Sequence, residues 1–210
     1  TLLPELAAVD GIDRVRVSYL QPAETRPSLV EAIATTPGVA SYYDLSFQHA
    51  SPEVLRRMRR FGGTESFLGL IRSIRRLAPA AGIRSNVICG FPGETEADVD
   101  VLCGFLAAAE LDAIGVFGYS AEEGTEALRL DGRHPPEEIE ARRARVADLA
   151  DELVSQRAEA RIGEKVQVLV EETDGEIIGR AAHQGPEVDG NVRLTTGDRL
   201  DRGALVDGIV

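Results

Sequence analysis

The chain has 210 residues, with 23 Lys and Arg against 35 Asp and Glu, a formal net charge of −12, and 43% hydrophobic residues. That is length for one large domain, or one domain and a small appendage, with apolar side chains enough for a real core. Two cysteines exclude a disulfide framework and a four-cysteine metal site. No apolar run approaches the roughly 18 residues of a membrane span, and bulk acidity argues against a general nucleic-acid coat. Without a starting Met or a basic-then-apolar leader before Pro4, the expectation is a cytoplasmic protein that begins as a fragment at Thr1.

In chain order, residues 1–134 read as alternating strands and helices. Arg14–Leu20 alternates with period two and ends before Pro22, which predicts a strand leaving into a loop. Ser28 precedes a short helix carrying Leu29, Val30 and Ile33, stopped by Pro37-Gly38. Tyr42–Phe47 is the second strand, closing on Gln48-His49. Ser51-Pro52-Glu53-Val54 has the order of a capped helix start, and Thr64 opens another helix with Phe67, Leu70, Ile71, Ile74 and Leu77 spaced by three and four.

Ile83–Gly90 is the third strand, and Thr95-Glu96-Ala97-Asp98 resembles a capping box with Asp in place of Glu. Its helix carries Val99, Leu102, Cys103 and Leu106 on one face; Ala113–Tyr119 is the fourth strand. Strands joined by connections of helical length imply a parallel sheet, open or closed into a barrel. Pro135-Pro136-Glu137-Glu138 starts a long helix to about Ala160, with Ile139, Val146 and Leu153 forming a stripe that packs across the sheet.

From Gly163 the character changes. Val166–Val170, Glu176–Arg180, Asn191–Leu194 and Leu205–Val210 are short strands separated by Gly and Asp turns, the pattern of a small antiparallel OB-like barrel. The expected division is 1–160 and 161–210.

Chemistry is concentrated where strands end, because ligands of parallel α/β folds sit at the carboxyl face. Val87-Ile88-Cys89-Gly90-Phe91-Pro92-Gly93-Glu94-Thr95 runs a strand through a glycine turn into a capped helix. Its glycines permit positive φ and close backbone approach, and helix-start amides offer donors to an anionic group. Gln48 and His49 end the second strand; a lone His there is more often a hydrogen-bonding residue than a catalyst. Arg56, Arg57, Arg59 and Arg60 read as a solvated helix face more readily than as a binding patch. Tyr119–Ala127 reads as a polar loop with a Gly turn or as a lip over the mouth. Cys89 and Cys103 read as small buried hydrophobes.

Four motifs taken together resemble the radical-SAM methylthiotransferases. They are Tyr43–Ser51, Val87–Glu96, Val116–Ser120 with Glu123-Gly124-Thr125, and Gly179-Arg180 followed by Gly185-Pro186-Glu187-Val188-Asp189-Gly190. The resemblance covers essentially the whole chain and implies strands 3–6 of a partial (β/α)6 radical-SAM barrel followed by an all-β TRAM domain. It implies two [4Fe–4S] clusters and S-adenosylmethionine as cofactors, with a deoxyadenosyl radical abstracting hydrogen from the substrate. Ser18, Gln48, Arg84, Gly90, Phe91, Gly93 and Phe117 would line the adenosylmethionine pocket. Gln48-His49 and residues 184–190 look like the branch that adds a methylthio group to an aspartate β-carbon of a small-subunit ribosomal protein.

The alternatives are the tRNA-adenosine branch of the same family and a non-catalytic binding module. Residues 161–210 hold six basic against ten acidic side chains, which favours a basic protein partner over RNA phosphates. An electron donor for the clusters is a further implied partner. The family's Cys-x3-Cys-x2-Cys run and its three auxiliary cysteines are not in this sequence. No catalytic residue and no metal ligand is therefore assigned, and the chain alone is expected to be inactive.

Overall fold

A computed structural model describes residues 2–186 and 188–210, so Thr1 and the Glu187 of the last motif lie outside the described residues. Helix α1 (Leu2–Ala7) precedes the first predicted strand and has no counterpart in the sequence expectations. Next come α2 (Pro27–Thr35), β1 (Tyr42–Asp44), α3 (Pro52–Arg57), α4 (Thr64–Leu77), β2 (Gly82–Cys89), α5 (Glu96–Ala109), β3 (Ala113–Gly118) and α6 (Pro136–Ala160). The three strands form a parallel sheet in the order β1-β2-β3, as helical-length connections require.

The expected first strand is the correction. Arg14–Leu20 makes only isolated parallel bridges, Val15 to Val39 and Leu20 to Leu45. Tyr19, at φ 60°, leaves the extended region between them, and a β-ladder does not survive a left-handed residue. The segment still flanks β1, through Leu20 N–H to Asp44 O at 2.8 Å and Ser46 N–H to Leu20 O at 3.0 Å.

Helices α2, α4 and α5 cover one face of the sheet. Tyr43, Leu45, Phe47, Ile83, Val87 and Cys89 point into that core and meet Ile33, Phe67, Ile74, Leu102, Phe105 and Leu106. Phe47, Phe67 and Phe105 pack with ring centroids 4.6–5.9 Å apart, each pair adding about 1 kcal/mol beyond area burial. The other face carries Arg16, Tyr42, Asp44, Arg84 and Asn86, linked by polar contacts. Helices outside and polar side chains inside make this the wall of a β/α barrel.

Helix α6 packs on β2 and β3. Of its expected stripe Val146 is buried and Ile139 and Leu153 are half-buried; the helix also buries Ala150 and, outside the stripe, Arg142. Beyond it, β4 (Lys165–Glu172), β5 (Ile177–Ala181), β6 (Val192–Leu194) and β7 (Leu205–Ile209) form a curled antiparallel sheet in the order β6-β5-β4-β7. Strand β4 is bulged between Val170 and Glu172, which adds curvature. Gly179 is obligatory there, because a Cβ would stand 2.5 Å from Leu169 O. Among the described residues, no helix is long and apolar enough to cross a membrane.

Candidate functional site

At the carboxyl end of β1 and β2 a cavity of about 570 Å³ opens, within the range of small-molecule sites. Gln48, Ile88 and Phe91 form its floor, Arg57–Arg60 one wall, and Glu126, Ala127, Arg129 and Leu130 the other. That second wall is a 3₁₀ turn, Glu126–Arg129, so the segment after β3 does form a lip over the mouth.

The floor is fixed by the Gly90–Glu94 turn. Gly90 (φ 78°) and Gly93 (φ 84°) both take the left-handed conformation. The carboxylate of Glu94, fully buried, accepts from Gly90 N–H at 2.9 Å and from Arg142 Nη1 at 3.2 Å. His49 Nε2 lies 3.3 Å from its second oxygen, and His49 Nδ1 accepts from Ser51 N–H at 3.0 Å. One carboxylate thus ties the ends of β1 and β2 to helix α6. His49 is a buried hydrogen-bonding residue, as its position at a strand end suggested.

The missing Cβ of each glycine leaves room for a protein side chain. A Cβ on Gly90 would stand 2.7 Å from Ile139 Cγ1, and one on Gly93 would stand 2.6 Å from Arg57 Cζ. The Gly93 amide donates to Gly132 O at 2.7 Å. Of the helix-start amides, those of Thr95 and Asp98 are engaged within the expected capping box. Thr95 and Asp98 form a reciprocal capping box, and Asp98 also accepts from Ser51 Oγ at 2.5 Å. The Asp98 carboxyl feels burial, which would raise its pKa, but the Ser51 and Thr95 hydrogen bonds hold it below the ordinary value.

Of the seven residues expected around adenosylmethionine, Gln48 and Phe91 line the cavity, with Gly90 and Gly93 in the turn beside it. Phe117 is half exposed on the inner face of β3, and Ser18 is exposed on the edge segment. Arg84 lies six positions before Gly90 on β2, roughly 20 Å away along the strand. Its Nε sits 3.1 Å from Asp189 Oδ1, and its Nη2 donates to Asn86 Oδ1 at 3.0 Å.

The basic run reads as a solvated face, and Arg56 and Arg59 are exposed accordingly, whereas Arg57 and Arg60 are half-buried. Helix α3 ends at Arg57, Arg59 turns left-handed at φ 57°, and the chain folds back over β1. Arg57 Nε then donates to Pro92 O at 2.7 Å, and Arg60 Nη1 donates to Gln21 Oε1 at 2.6 Å. The available signal was Gly62-Gly63, which leaves the run straddling a helix end. Cys89 is buried in the core, where burial pushes its thiol up to about 12, as fits a packing cysteine.

Adenosylmethionine fits this cavity by size and lining: Ile88 and Phe91 offer apolar surface and Gln48 an amide. An iron–sulfur cluster does not fit this chain. Cys89 and Cys103 are its two cysteines, and no group of three metal-ligating side chains occurs among the described residues.

Residues 162–208 match the TRAM domain model. The chain is 70% identical over 191 residues to the ribosomal protein uS12 methylthiotransferase RimO of Saccharopolyspora erythraea, covering 90% of this chain and 40% of that protein. It is 64% identical to the RimO of Salinispora arenicola and 60% identical to that of Streptomyces avermitilis, covering 99% and 100% of this chain. The chain resembles the ribosomal-protein branch of the radical-SAM methylthiotransferases. It spans about two fifths of the length of these relatives, 41% and 43% for the latter two. Among solved structures, the radical-SAM enzyme coproporphyrinogen III oxidase (HemN) of Escherichia coli superposes with a TM-score of 0.52 at 16% identity. The match covers 70% of this chain and 32% of that one. At that identity the likeness is one of fold, and the fold is the radical-SAM half-barrel followed by a TRAM domain.

Proposed function

We propose that this chain is the part, 1–160 and 161–210, of a radical-SAM methylthiotransferase that supplies the second half of the barrel and the TRAM domain. Its substrate is an aspartate of a small-subunit ribosomal protein, which sets its work in the cytoplasm. The observation that carries the reading is the cavity at the carboxyl mouth, floored by a Gly-Phe-Pro-Gly turn that Glu94 locks, in a chain 60–70% identical to RimO proteins.

When bound beside a reduced cluster, adenosylmethionine supplies hydrogen abstraction and a methyl group. In this reading Gln48 and Phe91 hold it from the cavity floor, with Phe117 beside the adenine and Ser18 on the edge segment. Gly90 and Gly93 shape the turn through their packing on Ile139 and Arg57. Arg84 stands away from the cavity lining, paired with Asn86 and Asp189 near the amino end of the sheet, and has no direct part in this reading. The floor and the two walls would hold a bound molecule in one orientation. The cluster ligands and the surface for the electron donor belong outside these residues.

A basic ribosomal protein is favoured over tRNA because Glu171, Glu172, Asp174 and Glu176 gather around the β4–β5 turn of an acidic TRAM domain. The test reconstitutes the protein together with its upstream coding sequence and offers purified uS12 and tRNA separately. Mass spectrometry should find a methylthio group on a uS12 aspartate; modification of tRNA alone would overturn the substrate assignment. The 210-residue chain, treated alone with iron and sulfide, should acquire no cluster absorbance and cleave no adenosylmethionine.

A further inference from the structure

The cavity is cationic in a protein of formal charge −12. Arg57, Arg59, Arg60 and Arg129 line it against a single carboxylate, Glu126, which pairs with Arg59 at 2.6 Å. Arg57 and Arg60 spend their hydrogen bonds on neutral oxygens. Arg57 donates to Pro92 O and Asp131 O, and Arg60 to Gln21 Oε1 and Ser46 O. No acidic side chain lies within ion-pair distance of Arg57, Arg60 or Arg129 among the described residues. Burial also works against the charge of Arg60, and no neighbouring carboxylate offsets it. A part-buried guanidinium beside an open cavity, without a counter-ion, is the arrangement that an incoming anion completes.

We propose that this wall is a carboxylate-binding subsite in which Arg60 and Arg129 take the anion. Arg57 acts as a positioning residue, holding the Pro92 and Asp131 carbonyls so that the two walls face each other. The assignment rests on the proposed function and deepens it. The carboxylate has two sources there, the methionyl end of adenosylmethionine and the aspartate side chain of the protein substrate. The lone acid, Glu126, is the intrinsic competitor, and its exposed pair with Arg59 is weak enough to yield.

Calorimetric titration of the chain distinguishes the sources. One arm compares adenosylmethionine with its decarboxylated counterpart; the other compares a short Lys- and Arg-rich peptide bearing one Asp with the same peptide bearing Asn. In at least one arm the carboxylate form should bind about tenfold tighter, the effect of a charge-assisted hydrogen bond, and Arg60→Gln should erase the difference. Arg129→Gln, at an exposed position that the fold does not need, should reduce it. Glu126→Gln should raise carboxylate affinity several-fold, a gain that a merely structural role does not produce. Equal affinity within both pairs, no binding in either, or a preference that survives Arg60→Gln and Arg129→Gln overturns the subsite. Adenosyl binding without carboxylate preference would leave the cofactor reading standing. A peptide preference without adenosyl binding would remove that cofactor reading and keep the subsite.

Discussion

Gly90 combines two demands that a sequence states as one letter. Its φ of 78° costs an L-residue about 1–2 kcal/mol, and its missing Cβ leaves room for Ile139 on α6. Gly124, at φ 82° with nothing within 4 Å of a Cβ, has only the first demand. Gly90→Ala should therefore cost about 2–4 kcal/mol in urea denaturation, strain plus overpacking, and Gly124→Ala about 1 kcal/mol. Equal losses would show that Ile139 moves aside at no cost. Sequence reasoning found the turn and its positive φ but assigned the glycines to ligand approach. Which neighbour lies against a glycine depends on α6, placed there by residues some fifty positions away.

At the scale of elements, α6 is anchored at its far end by Asp112, just before β3. Its carboxylate accepts from Arg161 Nη2 at 2.5 Å, Arg157 Nε at 3.0 Å, Arg75 Nη2 at 3.1 Å and Ile83 N–H at 2.8 Å. Burial alone would raise the Asp112 pKa, but Arg161 and Arg75 lead the contacts that hold it below the ordinary value. A depressed folded-state pKa adds stability that is complete above the unfolded value, near 3.9, and is lost as pH falls through the folded value. Asp112→Asn should cost about 3–5 kcal/mol at neutral pH by leaving three guanidinium groups short of their anion. The mutant's melting temperature should also fall less steeply below pH 4 than the parent's. An unchanged acid limb would refute the linkage.

The same scale shows what periodicity conveys. Helices α4, α5 and α6 and the Thr95 capping box follow from apolar spacing and end signals, because those are local. The edge segment at Arg14–Leu20 alternates like a strand, yet Tyr19 breaks it, and no local rule marks that tyrosine for a left-handed turn. Helix α1, with no buried residue, has no apolar stripe to announce it. The Arg57–Arg60 wall was illegible for a related reason: its direction is set by the reversal at Arg59, not by the charge pattern.

Over the whole molecule, the question is how the TRAM domain is held on the half-barrel. The loop after β5 enters the amino end of the sheet, opposite the cavity. Asp189 Oδ2 accepts from Tyr42 Oη at 2.5 Å and from Gly185 N–H at 2.7 Å, while Arg84 approaches its other oxygen. Gly82 lies so close to His183 that a Cβ would stand 2.2 Å from its carbonyl oxygen. Burial, assisted by the nearby Arg161 charge, lowers the His183 pKa to about 4. A base held neutral in the fold but protonated when unfolded stabilises fully above its unfolded pKa, near 6.5. That contribution, at most about 3 kcal/mol, declines as pH falls from 6.5 towards 4. Hydrogen exchange should show β4 and β5 losing protection across this window before β1 and β2 do. His183→Gln should flatten the pH dependence while leaving the neutral-pH fold intact, and Asp189→Ala should expose the same strands at every pH. Loss of protection in both sheets together would mean that the TRAM domain and the half-barrel unfold as one cooperative unit, with no separable joint at Asp189 and His183.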